Sequence, residues 1–262
     1  MIRGAAAAIS LIVACAAVAA PGMAQQVTLR IAPPQGDTLR MQLEQRFEMQ
    51  SGQPSGAASG AMRVWTHAIV LRRSRGYTEL LSVTDSVRIS PPTTALRPLR
   101  DAQRALEGRT VRLRVDEGGG MSIGGTAGAA YGGAEMPSML PSHPVSVGQT
   151  WTRGMRVPLS ATRQSSADVS TKFRLDSLGS RGSIAYISFH GAVSHDHAED
   201  GSGAVGKTVG TLQGTMQVDR RLAWVTDSHM VVNVVSDVRP PGKPAVHARM
   251  RITQSLSALA GN

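Results

Sequence analysis

Apolar and polar residues alternate along most of this chain with a period of two rather than 3.6, and that period predicts strands. Between Asp37 and Gln50, Leu39, Met41, Leu43, Phe47 and Met49 alternate with Arg40, Gln42, Glu44, Arg46 and Glu48. Such a strand buries one face and wets the other. From Thr208 to Val238 the pattern predicts two long strands folded back at 218–222. In the second, Trp224, Met230, Val232, Val234 and Val238 oppose Asp227, His229, Asn233 and Asp237, with a break expected at Asp227-Ser228. Met62–Arg72 and Tyr77–Ile89 read as a hairpin, the latter alternating through Leu81, Val83, Val87 and Ile89. Arg109–Val115 turns Val111, Leu113 and Val115 one way and Arg112 and Arg114 the other, before a turn at Asp116-Glu117-Gly118-Gly119. Val27–Pro33, Gln149–Leu159, Val169–Leu178, Ser183–Val193 and a closing run carrying Val246, Ala248, Met250 and Ile252 complete the set.

Only Ala95–Glu107 has helical spacing, through Leu99, Ala102, Ala105 and Leu106, with Gly108 placed as a C-terminal cap. Ser51–Gly60 and Gly124–Gly133, rich in Gly, Ala and Ser, are expected to be loops. These elements predict a mainly β protein: one strongly curved antiparallel sheet of about ten strands, an open or half barrel, with one helix packed on or in it. The inward positions Met41, Leu43, Leu81, Val83, Leu113, Met216, Met230, Val232 and Met250 are the candidate ligand-lining residues, joined on the same faces by Met49 and Val111. They are small or flexible, and filling a barrel of about ten strands takes bulk they do not supply, so a cavity is expected.

The N-terminus adds an address. Arg3, an apolar run from Ala5 to Ala20 and small residues before a cut at Ala24 form a secretory signal peptide over 1–24, too short to span a membrane. Residues 25–262 then make a single β-rich domain that is exported to the periplasm, the outer membrane or beyond, with no transmembrane segment. Ile12-Val13-Ala14-Cys15 fits a loose lipoprotein signal, but the apolar run continues past Cys15 to the conventional site, which argues against lipidation there. Without Cys15 the mature chain has no cysteine, so disulfides and thiol chemistry are excluded.

Charge changes the picture less than its size suggests. The net charge is +10, yet the basic residues are scattered singly along wet strand faces, and aromatics make up only 3%. Neither the clustering nor the stacking surface of a nucleic-acid protein is present. Gly201–Thr208 satisfies the phosphate-loop pattern GxxxxGK[ST], but no buried strand precedes Gly201 and no helical pattern follows Lys207-Thr208, so no nucleotide site is expected. His190, His195, His197 and Glu199 are the weak metal candidates, lacking a second arm of ligands. No nucleophile elbow or carboxylate pair stands in a suitable context, so no catalytic residue and no cofactor are assigned.

Leu140-Pro141-Ser142-His143-Pro144-Val145-Ser146-Val147-Gly148-Gln149-Thr150-Trp151, with Leu106–Val111 and the turn Asp116–Gly119, resembles a family of exported, β-rich bacterial envelope proteins and lipoproteins of unassigned function. It resembles more distantly the half-barrels of lipoprotein carriers, in which a curved sheet cups a helix and an acyl chain. The resemblance implies a non-catalytic envelope protein with a lipid or other apolar ligand. It carries over no catalytic residues, and Cys15 sits too early for the lipoprotein pattern. The alternatives are a structural or interaction protein of the envelope with a filled core, partnered by other envelope proteins, and, below these, a metal-dependent enzyme.

Overall fold

A computed structural model describes residues 26–52, 57–90, 103–123, 135–158, 166–196, 205–242 and 244–259. The signal peptide, Cys15 and the Gly124–Gly133 loop lie outside them. The described residues form one antiparallel sheet of twelve strands. In chain order these are β1 (Thr38–Ser51), β2 (Ala57–Ser74), β3 (Tyr77–Ser90), β4 (Thr110–Asp116), β5 (Met121–Ile123), β6 (Glu135–Met136), β7 (Thr150–Pro158), β8 (Ser166–Gly179), β9 (Ile184–Asp196), β10 (Val205–Asp219), β11 (Trp224–Arg239) and β12 (Val246–Ala258).

Their order across the sheet, β6-β5-β4-β3-β2-β1-β12-β11-β10-β9-β8-β7, is an up-and-down meander in which β12 returns to β1. The two edges, β6 and β7, are consecutive in sequence, so the sheet is an open barrel whose seam is crossed by residues 137–149. At the packed end the connector bridges this seam: the Trp151 indole N–H, on β7, donates to Met139 O at 2.8 Å, and Met139 N donates to Gly118 O of the β4–β5 turn at 2.8 Å. Arg153 Nη2 reaches Leu140 O at 2.5 Å.

One end is packed shut. The predicted N-terminal strand is instead an extended strap whose one ladder contact is the bridge from Val27 to Val145. The strap also donates from Ile31 N to Glu117 O, from Ala32 N to Ala223 O and from Gly36 N to Val70 O. It thereby ties the β4–β5 turn, the β10–β11 turn and β2 together. Its buried Val27, Leu29 and Ile31 join Val70, Leu80, Val115, Leu140, Val145, Phe173, Leu175 and Ile187 in one core. The segment that carried the resemblance thus has a packing role: Leu140 and Val145 are fully buried, and Gly148 makes its turn at φ +87, a region closed to most L residues. Asp116 fastens the adjoining turn, accepting from Gly120 N at 2.8 Å and from the Ser138 hydroxyl at 2.6 Å.

Extra residues bend the strands. Register shifts leave Asp85 and Leu71 in the β2–β3 pair, Asp176 in β8 and Thr226 in β11 without a direct partner. Each such bulge increases local twist and turns the strand toward closure. The break expected at Asp227-Ser228 is the bulge at Thr226, and β11 runs on through it.

Of the expected helix, residues 103–106 are helical and 95–102 lie outside the described set. This turn hangs on the free edge of β3, beyond the point where β4 ends. Glu107 accepts from Val87 N at 3.1 Å, and Gly108 N donates to Thr84 O at 2.8 Å. The described part of the helix therefore borders the sheet, and of the helix expected on or in it only this short turn is described.

Candidate functional site

Directly opposed residues of antiparallel strands share a face, so the registers define both surfaces of the barrel. The inner face, the one shared with the core, is arranged in rows across the strands. One row runs Val193, Gly210, Val234, Met250, Met49, Ala58 from β9 to β2. The next runs Gly191, Leu212, Val232, Ile252, Phe47, Gly60, and the third Phe189, Gly214, Met230, Gln254, Gln45, Met62. Below it lie Ile187, Met216, Ser228, Leu256, Leu43 and Val64, where the packed end begins. From β8 round to β4 these registers place one charged residue on the inward face, Arg73, at the exposed hairpin end of β2 opposite Thr78.

Away from the packed end, this apolar face is open to water. Phe47 is 39% and Met49 42% exposed, and Leu43, Met62, Met230, Val232, Val234, Met250 and Ile252 are half-buried. Two aromatic rings lie across the face instead of standing in the lumen. A Cβ on Gly60 would meet the Phe47 ring at 2.6 Å, and one on Gly214 would meet the Phe189 ring at 2.5 Å. Each ring covers a directly opposed glycine, the cross-strand arrangement that protects a glycine's backbone. Twelve strands enclose more space than eight, whose interior side chains just fill, and small residues with flat rings widen it further.

The outer face carries the charges. Arg40, Glu44, Arg46 and Glu48 on β1 neighbour Arg63 and His67 on β2 and Arg249 and Arg251 on β12. Glu44 accepts from Arg63 Nη2 at 2.7 Å and from Arg46 Nε at 2.8 Å. These contacts hold its carboxyl below the usual carboxylate range, the Arg63 hydrogen bond first. His67 Nδ1 lies 2.6 Å from Asp85, so the bulged residue is paired on the wet side. Trp65 sits outward between Arg63 and Arg88, whose guanidinium carbons lie 5.8 and 5.2 Å from its ring centre. A polar depression of about 520 Å³, lined by Glu44, Arg46, Glu48, His229 and Arg251 among others, lies on this face. Val209 and Val235 are exposed apolar residues on this face, opposed to each other beside the Lys207 and Asp237 pair, and Val205 and Tyr186 are exposed there too.

Of the residues expected to line a ligand, Met41, Leu43, Leu113, Met216, Met230, Val232 and Met250 all face inward. Met216 is buried, and Met41, Leu113, Met230 and Val232 pack on the core. Leu81 and Val83 do not line this face. The bulge at Asp85 inverts the alternation within β3, so Leu81 and Val83 point outward, opposite Arg112 and Thr110, while Val87 and Ile89 point inward opposite Val64 and Met62. A simple period of two hides such an inversion because it assumes one unbroken register. Phe189, Ile187 and Leu212 were not singled out from sequence, although their alternation was legible.

The two described members of the weak metal set do not come together. His190 lies outward opposite Lys172 and Gln213, whereas His195 lies inward opposite Thr208. His197 and Glu199 lie outside the described residues. Among the described residues, no group of three His, Cys, Asp or Glu is close enough to hold a metal. In the phosphate-loop pattern, Gly206, Lys207 and Thr208 lie within β10, so no helix starts at Lys207-Thr208.

No protein-family model and no curated protein matches the chain. Among solved structures, a lipovitellin structure titled for lipid–protein interactions aligns with 87% of this chain at 9% identity and a TM-score of 0.45. The chain spans 25% of that protein's length. The OccK5 (OpdH) structure of Pseudomonas aeruginosa aligns with 87% of this chain and 100% of its own, at 9% identity and a TM-score of 0.28. An outer membrane channel of Pseudomonas putida F1 aligns with 87% of this chain and 97% of its own, at 9% identity and a TM-score of 0.22. At these scores none of the three assigns a function to the chain.

Proposed function

We propose that this is a non-catalytic, exported envelope protein that binds a lipid or similar apolar ligand within its open barrel. The observation that supports this most directly is the polarity of the sheet: an almost uncharged, half-exposed inner face set against a charged outer one. Apolar surface left facing water costs roughly 25 cal/mol per Å², so a concave apolar face of this extent gains from an occupant. The distribution is the reverse of a lipid-embedded barrel, which turns apolar residues outward and polar ones to the lumen. Export rests on the leader pattern of residues 1–24.

Native mass spectrometry of protein purified from envelopes, with solvent extraction, is the test. Stoichiometric lipid is expected. Protein free of lipid, with no uptake of the apolar fluorophore N-phenyl-1-naphthylamine, would overturn the binding role and leave the structural one, for which the packed end provides the framework.

A further inference from the structure

Arginines that stand singly in the sequence are gathered on the outer wall by the registers. Arg88 of β3 lies directly opposite Arg63 of β2, Arg63 opposes Glu44 of β1, and Arg46 stands two residues further along β1. Arg251 of β12 opposes Glu48, and Arg249 opposes Gln50. These five arginines form a diagonal across four adjacent strands, climbing toward the end of the barrel remote from the packed core. Their neighbours on this wall are short: Ala57, Ser59, Ala61, Ser90 and Thr253. Arg46, Arg88, Arg249 and Arg251 are accordingly exposed, and the Arg63 side chain is 41% exposed. Arg46 and Arg63 share the one carboxylate of Glu44. Among the described residues, Arg88, Arg249 and Arg251 have no carboxylate within ion-pair distance, and Asp237, one row beyond Arg249, is engaged by His247. The same strand ends expose apolar side chains. Phe47 and Met49, which alternate with Arg46 and Glu48 along β1, are exposed on the inner side, as is Val246 at the start of β12. On the outer side Val235, directly opposite Arg249, and Val209 beyond it are exposed as well.

We propose that this edge docks on an anionic membrane surface with the open end toward the bilayer. The arginine diagonal then meets lipid phosphates, and the exposed apolar residues enter the boundary between headgroups and acyl chains. Two considerations select this partner. The first is charge. Five arginines face two glutamates, and like charges directly opposed across strands, as Arg63 and Arg88 are, repel each other. Trp65 lies beside both, its ring centre 5.8 and 5.2 Å from their guanidinium carbons. Stacking of this kind steadies a guanidinium while its N–H edge remains able to donate. Phosphate oxygens suit that edge and offset the repulsion. The second is the company the arginines keep. Basic and exposed apolar residues along one edge are the composition of an element that lies on a membrane. A purely ionic partner, such as an acidic polysaccharide, would use the arginines and leave Phe47, Met49 and Val246 in water. Docking in this orientation sets the open apolar face against lipid, yet the patch stands whatever occupies the lumen.

The test uses the full mature chain and sedimentation with vesicles, either phosphatidylethanolamine mixed with phosphatidylglycerol or phosphatidylcholine alone, at low salt. The wild type is expected to bind the anionic vesicles at least about tenfold more tightly, and that binding should weaken as added salt shortens the screening length. Arg249→Gln with Arg251→Gln is expected to lose about tenfold. Arg75→Gln with Arg112→Gln removes the same charge beside the packed end and should bind within about twofold of the wild type. All four positions are exposed, so both variants should melt as the wild type does. Equal losses in the two variants would show attraction by net charge alone and overturn the patch, as would equal binding to the two kinds of vesicle. Orientation is read from a Met49→Cys protein, whose mature chain has no other cysteine, labelled with the environment-sensitive dye NBD. Its emission is expected to shift to the blue on anionic vesicles, and an unshifted emission in the bound protein would overturn docking by the open end. Polygalacturonate bound more tightly, charge for charge, than the anionic vesicles would overturn the membrane as partner. Uptake of N-phenyl-1-naphthylamine, measured without vesicles, separates this proposal from the binding role. Uptake without vesicle binding overturns the docking alone, and vesicle binding without uptake overturns the lumen ligand alone.

Discussion

Two glycines on the inner face are alike in sequence context and different in what they permit. A methyl on Gly60 meets only the outer atoms of the Phe47 ring at 2.6 Å, with Ser90 O at an ordinary 3.4 Å. That ring is at the open end and can swing away. A methyl on Gly214 meets the buried Phe189 ring and the backbone oxygen of His229 as well, and backbone cannot yield cheaply. Gly214→Ala is therefore expected to cost about 1–3 kcal/mol, the usual range for overpacking, and Gly60→Ala less than about 1 kcal/mol. Urea midpoints of the two variants check this, and equal losses would contradict it.

Two carboxylates set a pH dependence at the same scale. Glu44 is held low chiefly by Arg63, and Glu107 chiefly by the Val87 N–H and then by Gln103. Because both folded values lie below the unfolded one, near ~4.3 for glutamate, each contributes stability in full above that value. The contribution is lost as pH falls through the folded value. Glu44→Gln should thus lower the denaturation midpoint at neutral pH, with the gap to wild type closing as pH drops below about 4. A gap that stays constant with pH would show that Glu44 acts through shape rather than charge.

At the scale of elements, the strap over residues 26–36 does more than its length suggests, because it ties parts of the sheet that no ladder connects. Leu29 is almost wholly buried in the shared core. Leu29→Ala is expected to lose about 2–5 kcal/mol, whereas Arg30→Ala, on the exposed side of the same segment, should stay within about 0.5 kcal/mol. Chemical denaturation distinguishes them. The strap was legible as alternation, Val27, Leu29 and Ile31 being buried as a strand's inward residues would be, but not as a strap. Alternation says which side is apolar and nothing about whether the partner is a ladder or a packed core. The long strands β1, β10 and β11 were readable from their alternation, whereas Ala57–Gly60, expected within a loop, opens β2, its small residues opposing Phe47 to Gln50 of β1. Leu81 and Val83 were misassigned because an extra residue at Asp85 leaves composition unchanged while exchanging the faces. The polar row near the open end was invisible to sequence: His195, Thr208 and Ser236 come from three strands and become neighbours only through register.

At the scale of the whole molecule, the barrel differs along its length, with a packed core at one end and a more exposed apolar surface toward the other. A charge placed on the inner face should therefore affect ligand uptake before folding, provided it is set where the face is still open. Val232 faces inward beneath the rim, between Leu212 and Ile252. Val235 is outward and 40% exposed. Val232→Lys is expected to abolish N-phenyl-1-naphthylamine binding, since an occupant would have to bury an unpaired ammonium. Val235→Lys should bind as the wild type does. The same pair is read without a fluorophore through linkage: a ligand at about 100 times its dissociation constant stabilises the folded protein by about 2.7 kcal/mol. Added monopalmitoylglycerol should then raise the melting temperature of the wild type and of Val235→Lys and leave that of Val232→Lys unmoved. Ligand-free, Val232→Lys should melt below the other two because Val232 packs against the core, so the test is the shift each protein gains from added lipid. A Val232→Lys protein that still gains stability from lipid would place the ligand elsewhere, and the polar depression around Arg46 and Arg251 on the outer face would be the next surface to probe.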